Sequence, residues 1–182
     1  MKTKRLPTRA YSLIEVMVAM AIGMVIMAAV LGSYITSWKG FTELGQMQLA
    51  HSDARYANQI FSREIRQVNA VSSFSATDIT VSIPLTFSSN GTVDTTKIVR
   101  FYLDGCELVW DDGGTLNKLI ESNNCSRRSV SSLTFTLYDA AGAETVVLAN
   151  AKSIKMDLTL DYSNQNPPRT DTSSSKIKLR LN

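Results

Sequence analysis

The sequence predicts an α+β protein: one long N-terminal helix followed by an antiparallel β-sheet domain. Three observations carry that prediction. Val16 to Trp38 is a run of 23 residues without a charge or a proline. The apolar spacing then becomes that of one helix face, and no proline between Pro7 and Pro84 forces the helix to end. Beyond about residue 70 the apolar period falls from 3.6 to 2, the alternation of half-buried strands.

The uncharged run would span about 34 Å as a helix, enough for a hydrocarbon core of about 30 Å. Lys2, Lys4, Arg5 and Arg9 precede it with no acid among them. Such a basic flank keeps the N-terminus cytoplasmic and sends everything after Trp38 outward. Glu15 stands at the start of the apolar stretch. A carboxylate deep in a membrane helix costs about 2.5–3.5 kcal/mol, so Glu15 either lies shallow enough to reach headgroups or needs a partner. Gly23 and Gly32 each follow an alanine by four residues (Ala19, Ala28). That spacing suits close helix packing in lipid, although glycine is common in membrane helices for other reasons.

The second half of the helix carries a different stripe. Met47, Ala50, Ala54, Ala57, Phe61, Ile65 and Val68 fall on one face, with Gln46, Asp53, Gln59, Arg63 and Arg66 left for the others. One helix from about Tyr11 to about Ala70 is expected, burying this stripe against its own domain. A coiled coil is the alternative, but the seam lasts barely three heptads.

The strands follow in order. Ile79, Val81, Ile83, Leu85 and Phe87 alternate, and Pro84 places that strand at an edge or a bulge. Asn90-Gly91 marks a turn. Residues 97–103 and 106–110 flank Asp104-Gly105, a two-residue hairpin signal. Asp111 to Gly114 reads as another turn. Leu133, Phe135 and Leu137 alternate, then Ile154, Met156, Leu158 and Leu160, then Ile177, Leu179 and Leu181. Ser163 to Ser175, with Pro167-Pro168, reads as a polar loop before the last strand. An antiparallel sheet of about seven strands with one apolar face is the expectation.

Composition narrows the function. The 182 residues hold 19 Lys and Arg against 16 Asp and Glu, a formal charge of +3. Four of those bases and none of the acids precede Tyr11, so the chain beyond carries 15 bases against 16 acids. An export leader accounts for the basic excess, and no nucleic-acid partner is predicted. Cys106 and Cys125 both lie in the outward part. In an oxidising compartment they are expected to form one disulfide, with two free thiols as the alternative. A metal site would need more ligands, and the single histidine, His51, is distant in sequence.

The leader and helix start carry a resemblance. A basic leader, a small residue, an aromatic, Ser-Leu-Ile-Glu and an apolar helix (residues 1–39) resemble the class III signal of type IV pilins and type II secretion pseudopilins. The resemblance implies that a prepilin peptidase cuts between Ala10 and Tyr11 and that the new N-terminus at Tyr11 is methylated. Glu15 then stands fifth in the mature chain and serves subunit assembly. Two positions depart from the usual pattern: Ala10 replaces glycine and Tyr11 replaces phenylalanine, each keeping size or aromaticity. The stretches FSREIRQVNAV (61–71), VRFYLDGCELVWDDGG (99–114) and SLTFTLYDAAG (132–142) look like PilW-type minor pilins and the related J-type pseudopilins.

What this implies is a pilin-like fold in four parts: a cleaved leader (1–10), a transmembrane and assembly helix (11–38), its amphipathic continuation (39–70) and a periplasmic β domain (71–182). The implied function is that of a minor pilin that helps start or cap a type IV pilus. The alternatives are a J-type pseudopilin and a signal-anchored periplasmic module that never polymerises. The implied location is the inner membrane, N-terminus cytoplasmic and C-terminal domain periplasmic, and afterwards the pilus at the cell surface. Implied partners are the prepilin peptidase, other minor and major pilins, the assembly platform of the inner membrane, and lipid before assembly. The helix lacks the proline usual in major shaft pilins, which favours a minor pilin or pseudopilin.

Enzyme motifs are missing: no Gly-x-Ser-x-Gly, phosphate loop or His-Glu-x-x-His occurs, and no cofactor is expected. His51 reads as a solvated helix residue. Asp104, Glu107, Asp111 and Asp112 cluster around the hairpin, where turn roles are favoured over calcium because the EF-hand spacing is missing. Arg127-Arg128 reads as a solvated pair. Trp110 is expected to be buried in the sheet, with an exposed adhesive role as the alternative.

Overall fold

The computed structural model describes residues 12–88, 90, 92–122, 125, 129–162 and 169–179. Its elements are one helix, α1 (Leu13–Ile65), then β1 (Ala70–Phe74), β2 (Asp78–Phe87), β3 (Val93–Asp104), β4 (Glu107–Asp112), β5 (Leu116–Ile120), β6 (Ser129–Tyr138), β7 (Ser153–Asp161) and β8 (Thr170–Lys178). A short 3-10 turn, Leu148–Asn150, precedes β7. The arrangement is the expected α+β one, a long N-terminal helix followed by antiparallel β structure. The chain divides into two compact units, 1–43 and 44–182, so α1 belongs partly to each.

In the second unit the helix buries Ala50, Ala54, Ala57, Ile60, Phe61, Glu64 and Ile65. Of the expected stripe Met47 is exposed, and Ile60 and Glu64, outside that stripe, are buried with it. The helix ends at Ile65, short of the expected Ala70. Tight bonds from Gln67 N–H to Glu64 O and from Val68 N–H to Ile65 O close it, and β1 takes the chain at Ala70. Val68 is nonetheless buried, because the turn keeps its side chain on the core side.

The strands form two sheets, β1-β2-β3-β4-β5 and β6-β7-β8, every neighbouring pair antiparallel. The single sheet of about seven strands is therefore corrected to eight described strands in two sheets. Alternation tells each strand to bury one face but does not say which edges pair, and β5 and β6 do not. β1 and β5 escaped the pattern because each is five residues long and lies beside a register shift, at Val71/Ser73 and at Leu108/Val109. The inner faces join one core: Ile79, Val81, Val99, Phe101 and Leu108 from the first sheet, Phe135, Leu137, Ile154, Met156 and Leu158 from the second.

Pro84 lies beside a register shift between Pro84 and Thr86, and β1 pairs β2 only as far as Ser82. The proline thus occupies a stretch that is both irregular and unpaired on one side, where a missing N–H costs no ladder bond. Leu85 and Phe87, expected on the apolar face, are exposed, because the shift at Pro84 breaks the alternation. The β3–β4 hairpin pairs Asp104 with Glu107, so its loop is Gly105-Cys106, one residue later than expected. Gly105 has φ +62 there, the backbone a two-residue loop asks of its first residue. The last strand starts at Thr170, so the C-terminal part of the expected 163–175 loop is β structure. Its Ser and Thr residues alternate in burial without any apolar signal to reveal it. Gly91, Arg127, Arg128, Pro167, Pro168 and Leu181 lie outside the described residues.

Candidate functional site

Ser12 and Glu15 open α1 with a reciprocal cap. Glu15 Oε2 accepts from Ser12 N–H at 2.9 Å and from Ser12 Oγ at 3.3 Å, while Glu15 N–H donates to Ser12 Oγ at 3.3 Å. This is a capping box, in which the first-turn acid also complements the helix dipole. Its signal, Ser-x-x-Glu before an apolar run, stands in the sequence and went unused there. No basic group pairs with Glu15 among the described residues. Ala10 and Tyr11, the positions implied for cleavage and methylation, lie outside the described residues.

The helix beyond this cap is long and apolar enough to cross a membrane by length and composition, and none of its most apolar stretch is buried. Large residues from Leu13 to Phe41 are exposed throughout. A Cβ at Gly23 or Gly32 would meet nothing within 4 Å, so no contact inside the chain requires either glycine. Tyr34 and Trp38 stack one turn apart with centroids 6.3 Å apart, where such rings would meet a headgroup layer.

The cysteines are joined. Cys106, in the β3–β4 loop, and Cys125 form a disulfide across a Cα separation of 5.5 Å. Val130 N–H donates to Cys106 O at 2.9 Å, so the same loop also holds the first residues of β6.

The acidic residues of the hairpin are largely spoken for by their own chain. Glu107 Oε2 lies 2.7 Å from Lys118 Nζ, and Glu107 Oε1 accepts from Ser122 N–H at 3.1 Å. The Lys118 hydrogen bond, followed by the Ser122 N–H, holds the Glu107 carboxyl below its ordinary value. The same hydrogen bond raises Lys118. Asp111 Oδ1 accepts from Gly114 N–H at 2.7 Å, and Asp112 pairs with Lys97.

Trp110 is buried, its ring 6.4 Å from Phe101 and 5.8 Å from the Arg63 guanidinium. His51 is more than a solvated residue: its Nδ1 lies 3.0 Å from Asp171 Oδ2 on β8. Asn58 Nδ2 donates to Ser173 Oγ at 2.5 Å, a second polar tie to the same strand. Sequence spacing gave no sign of either tie, because each joins residues more than a hundred positions apart.

Comparison with known proteins adds one finding. The family model described as the prokaryotic N-terminal methylation motif matches residues 6–31, which include Ala10, Tyr11, Ser12 and Glu15. No curated protein and no solved structure gives a significant match. The motif, together with the apolar helix behind it, supports a type IV pilin-like protein, anchored by that helix. It implies processing by a prepilin peptidase and assembly partners of the pilin type.

Proposed function

We propose that this protein is a minor pilin of the PilW type, a structural subunit that helps start or cap a type IV pilus. One observation carries the reading: Glu15 sits at the head of an exposed apolar helix, and no cation pairs with it among the described residues. In lipid a bare carboxylate and a bare ammonium are each costly, so pairing them between subunits sets register. Cleavage after Ala10 would create the ammonium at Tyr11, methylated and available to Glu15 of a neighbouring copy or sister pilin. The leader (1–10) is then lost and the helix over 11–38 holds the subunit in the inner membrane. Residues 39–70 continue toward a periplasmic domain (71–182) until the assembly platform extracts the subunit. The role is structural and not enzymatic.

Two measurements test this. Intact mass of membrane-extracted protein is expected to match a chain starting at methylated Tyr11; a mass that keeps residues 1–10 refutes the reading and favours a fixed anchor. Glu15→Ala is expected to leave insertion unchanged while its incorporation into sheared filaments falls about tenfold or more, one lost ion pair in lipid. Normal incorporation of that variant would remove the mechanism.

A further inference from the structure

At one end of the three-stranded sheet, Lys152, Lys176 and Lys178 line a cavity of about 600 Å³ together with Ser153 and the turn Asp139–Gly142. None of the three has an acidic partner among the described residues. This contrasts with Lys155 on the same sheet, whose Nζ lies 2.8 Å from Asp157. The one carboxylate on the wall, Asp139, is tied into its own turn, with Oδ1 accepting from Ala143 N–H at 2.9 Å. Three lysines and one aspartate therefore line the same pocket, in a chain whose charge beyond residue 10 is close to zero.

The frame under these side chains is fixed. Lys152 N–H donates to Tyr138 O at 2.7 Å, and Lys152 O accepts from Leu179 N–H at 2.8 Å, which pins it between the ends of β6 and β8. Lys176 and Lys178 pair in register with Lys155 and Ser153 of β7. Lys176 Nζ stands 3.5 Å over the Tyr138 ring, which holds its ammonium at the sheet surface. The turn is closed by Asp139 N–H to Ala143 O at 2.9 Å and Gly142 N–H to Asp139 O at 3.2 Å. A fixed backbone carrying three lysines around one pocket gives an anion several donors within reach of the same space.

We propose that this pocket binds a phosphate group, as the free ion or a monoester, or as the diester of an anionic lipid headgroup. Several oxygens sharing one or two negative charges can accept from three lysines at once, which a single chloride cannot. The pocket shares no residue with the Ser12–Glu15 site and does not depend on the function proposed for it.

The test uses the full chain in non-ionic detergent, titrated calorimetrically at constant ionic strength against chloride. The probes are inorganic phosphate, glycerol 3-phosphate and glycerophosphoglycerol. Saturable binding of one phosphate per chain is expected. The Lys176→Gln/Lys178→Gln double variant should weaken it about tenfold or more, two charge-assisted contacts being lost, and Lys155→Gln should leave it unchanged. Lys152→Gln should weaken it as well, which gives an independent variant on a different segment. Binding of inorganic phosphate or the monoester points to a free ligand, and binding of the diester alone points to a lipid headgroup; both support the proposal. Heats no greater than those of chloride, or a loss in Lys155→Gln equal to that in the double variant, would overturn it.

Discussion

Phe61 is the residue on which both sheets meet the helix. Its ring is fully buried, with its centroid 5.3 Å from Phe101 on β3 and 5.7 Å from Phe135 on β6. Those partners belong to different sheets, so truncating Phe61 opens the seam between them as well as the helix contact. Phe61→Ala is expected to cost about 3–5 kcal/mol, the range for a buried phenylalanine whose cavity cannot collapse. Two aromatic contacts at about 0.5–1.5 kcal/mol each place it in the upper part of that range. A unit of residues 44–182 has a melting entropy of about 0.3 kcal/mol/K, so a loss of about 4 kcal/mol lowers its midpoint by about 14 °C. Thermal unfolding of the full chain in detergent, followed by near-UV circular dichroism, reads this directly. Phe41→Ala, at an exposed ring of the same helix, serves as the control and should stay within about 0.5 kcal/mol. A shift for Phe61→Ala below about 3 °C, or an equal one for Phe41→Ala, would refute the view that one helix face organises both sheets.

The disulfide closes a separation of 19 residues, so replacing Cys106 and Cys125 together by serine should lower stability by about 3 kcal/mol. A denaturant midpoint that falls on reduction of the parent, but not of the variant, checks it. Glu107 has its folded-state pKa depressed, so its contribution is present above about its ordinary 4.5 and is lost as pH falls through the lower folded value. Lys118 is raised, so the same pair is present below about 10.5 and is lost as pH climbs through the higher folded value. Glu107→Gln should therefore be less stable than the parent at neutral pH and equal to it in strong acid; a difference that persists in acid counts against the pairing. Ser12→Ala removes one half of the capping box and should loosen the first turn of α1 by about 1 kcal/mol. Hydrogen exchange at the amides of Leu13 to Met17 reads that loosening, and unchanged protection there would contradict the cap.

The long helix, the exposed apolar half and the buried stripe from Ala50 to Val68 were legible in the sequence. A helix face is set by residues three and four apart, and the span by the absence of charge and proline. The strands from Ile79, Leu133 and Ile154 were legible for the same local reason. Thr170 to Ser175 was not, because a polar strand paired at the edge of a sheet repeats no apolar signal. The Ser12–Glu15 cap could have been read, since both partners lie within one turn. The ties of His51 to Asp171 and Asn58 to Ser173 could not.

By itself the sequence determined the long helix and its buried stripe, the strands from Ile79, Leu133 and Ile154, and the motif at the head of the chain. Local spacing and charge suffice for those. The tertiary structure alone decided that the strands split into two sheets, that Phe61 joins them, and that Lys152, Lys176 and Lys178 share one cavity. Edge pairing and convergence depend on contacts between distant residues, and a period of two is the same whichever neighbour a strand takes.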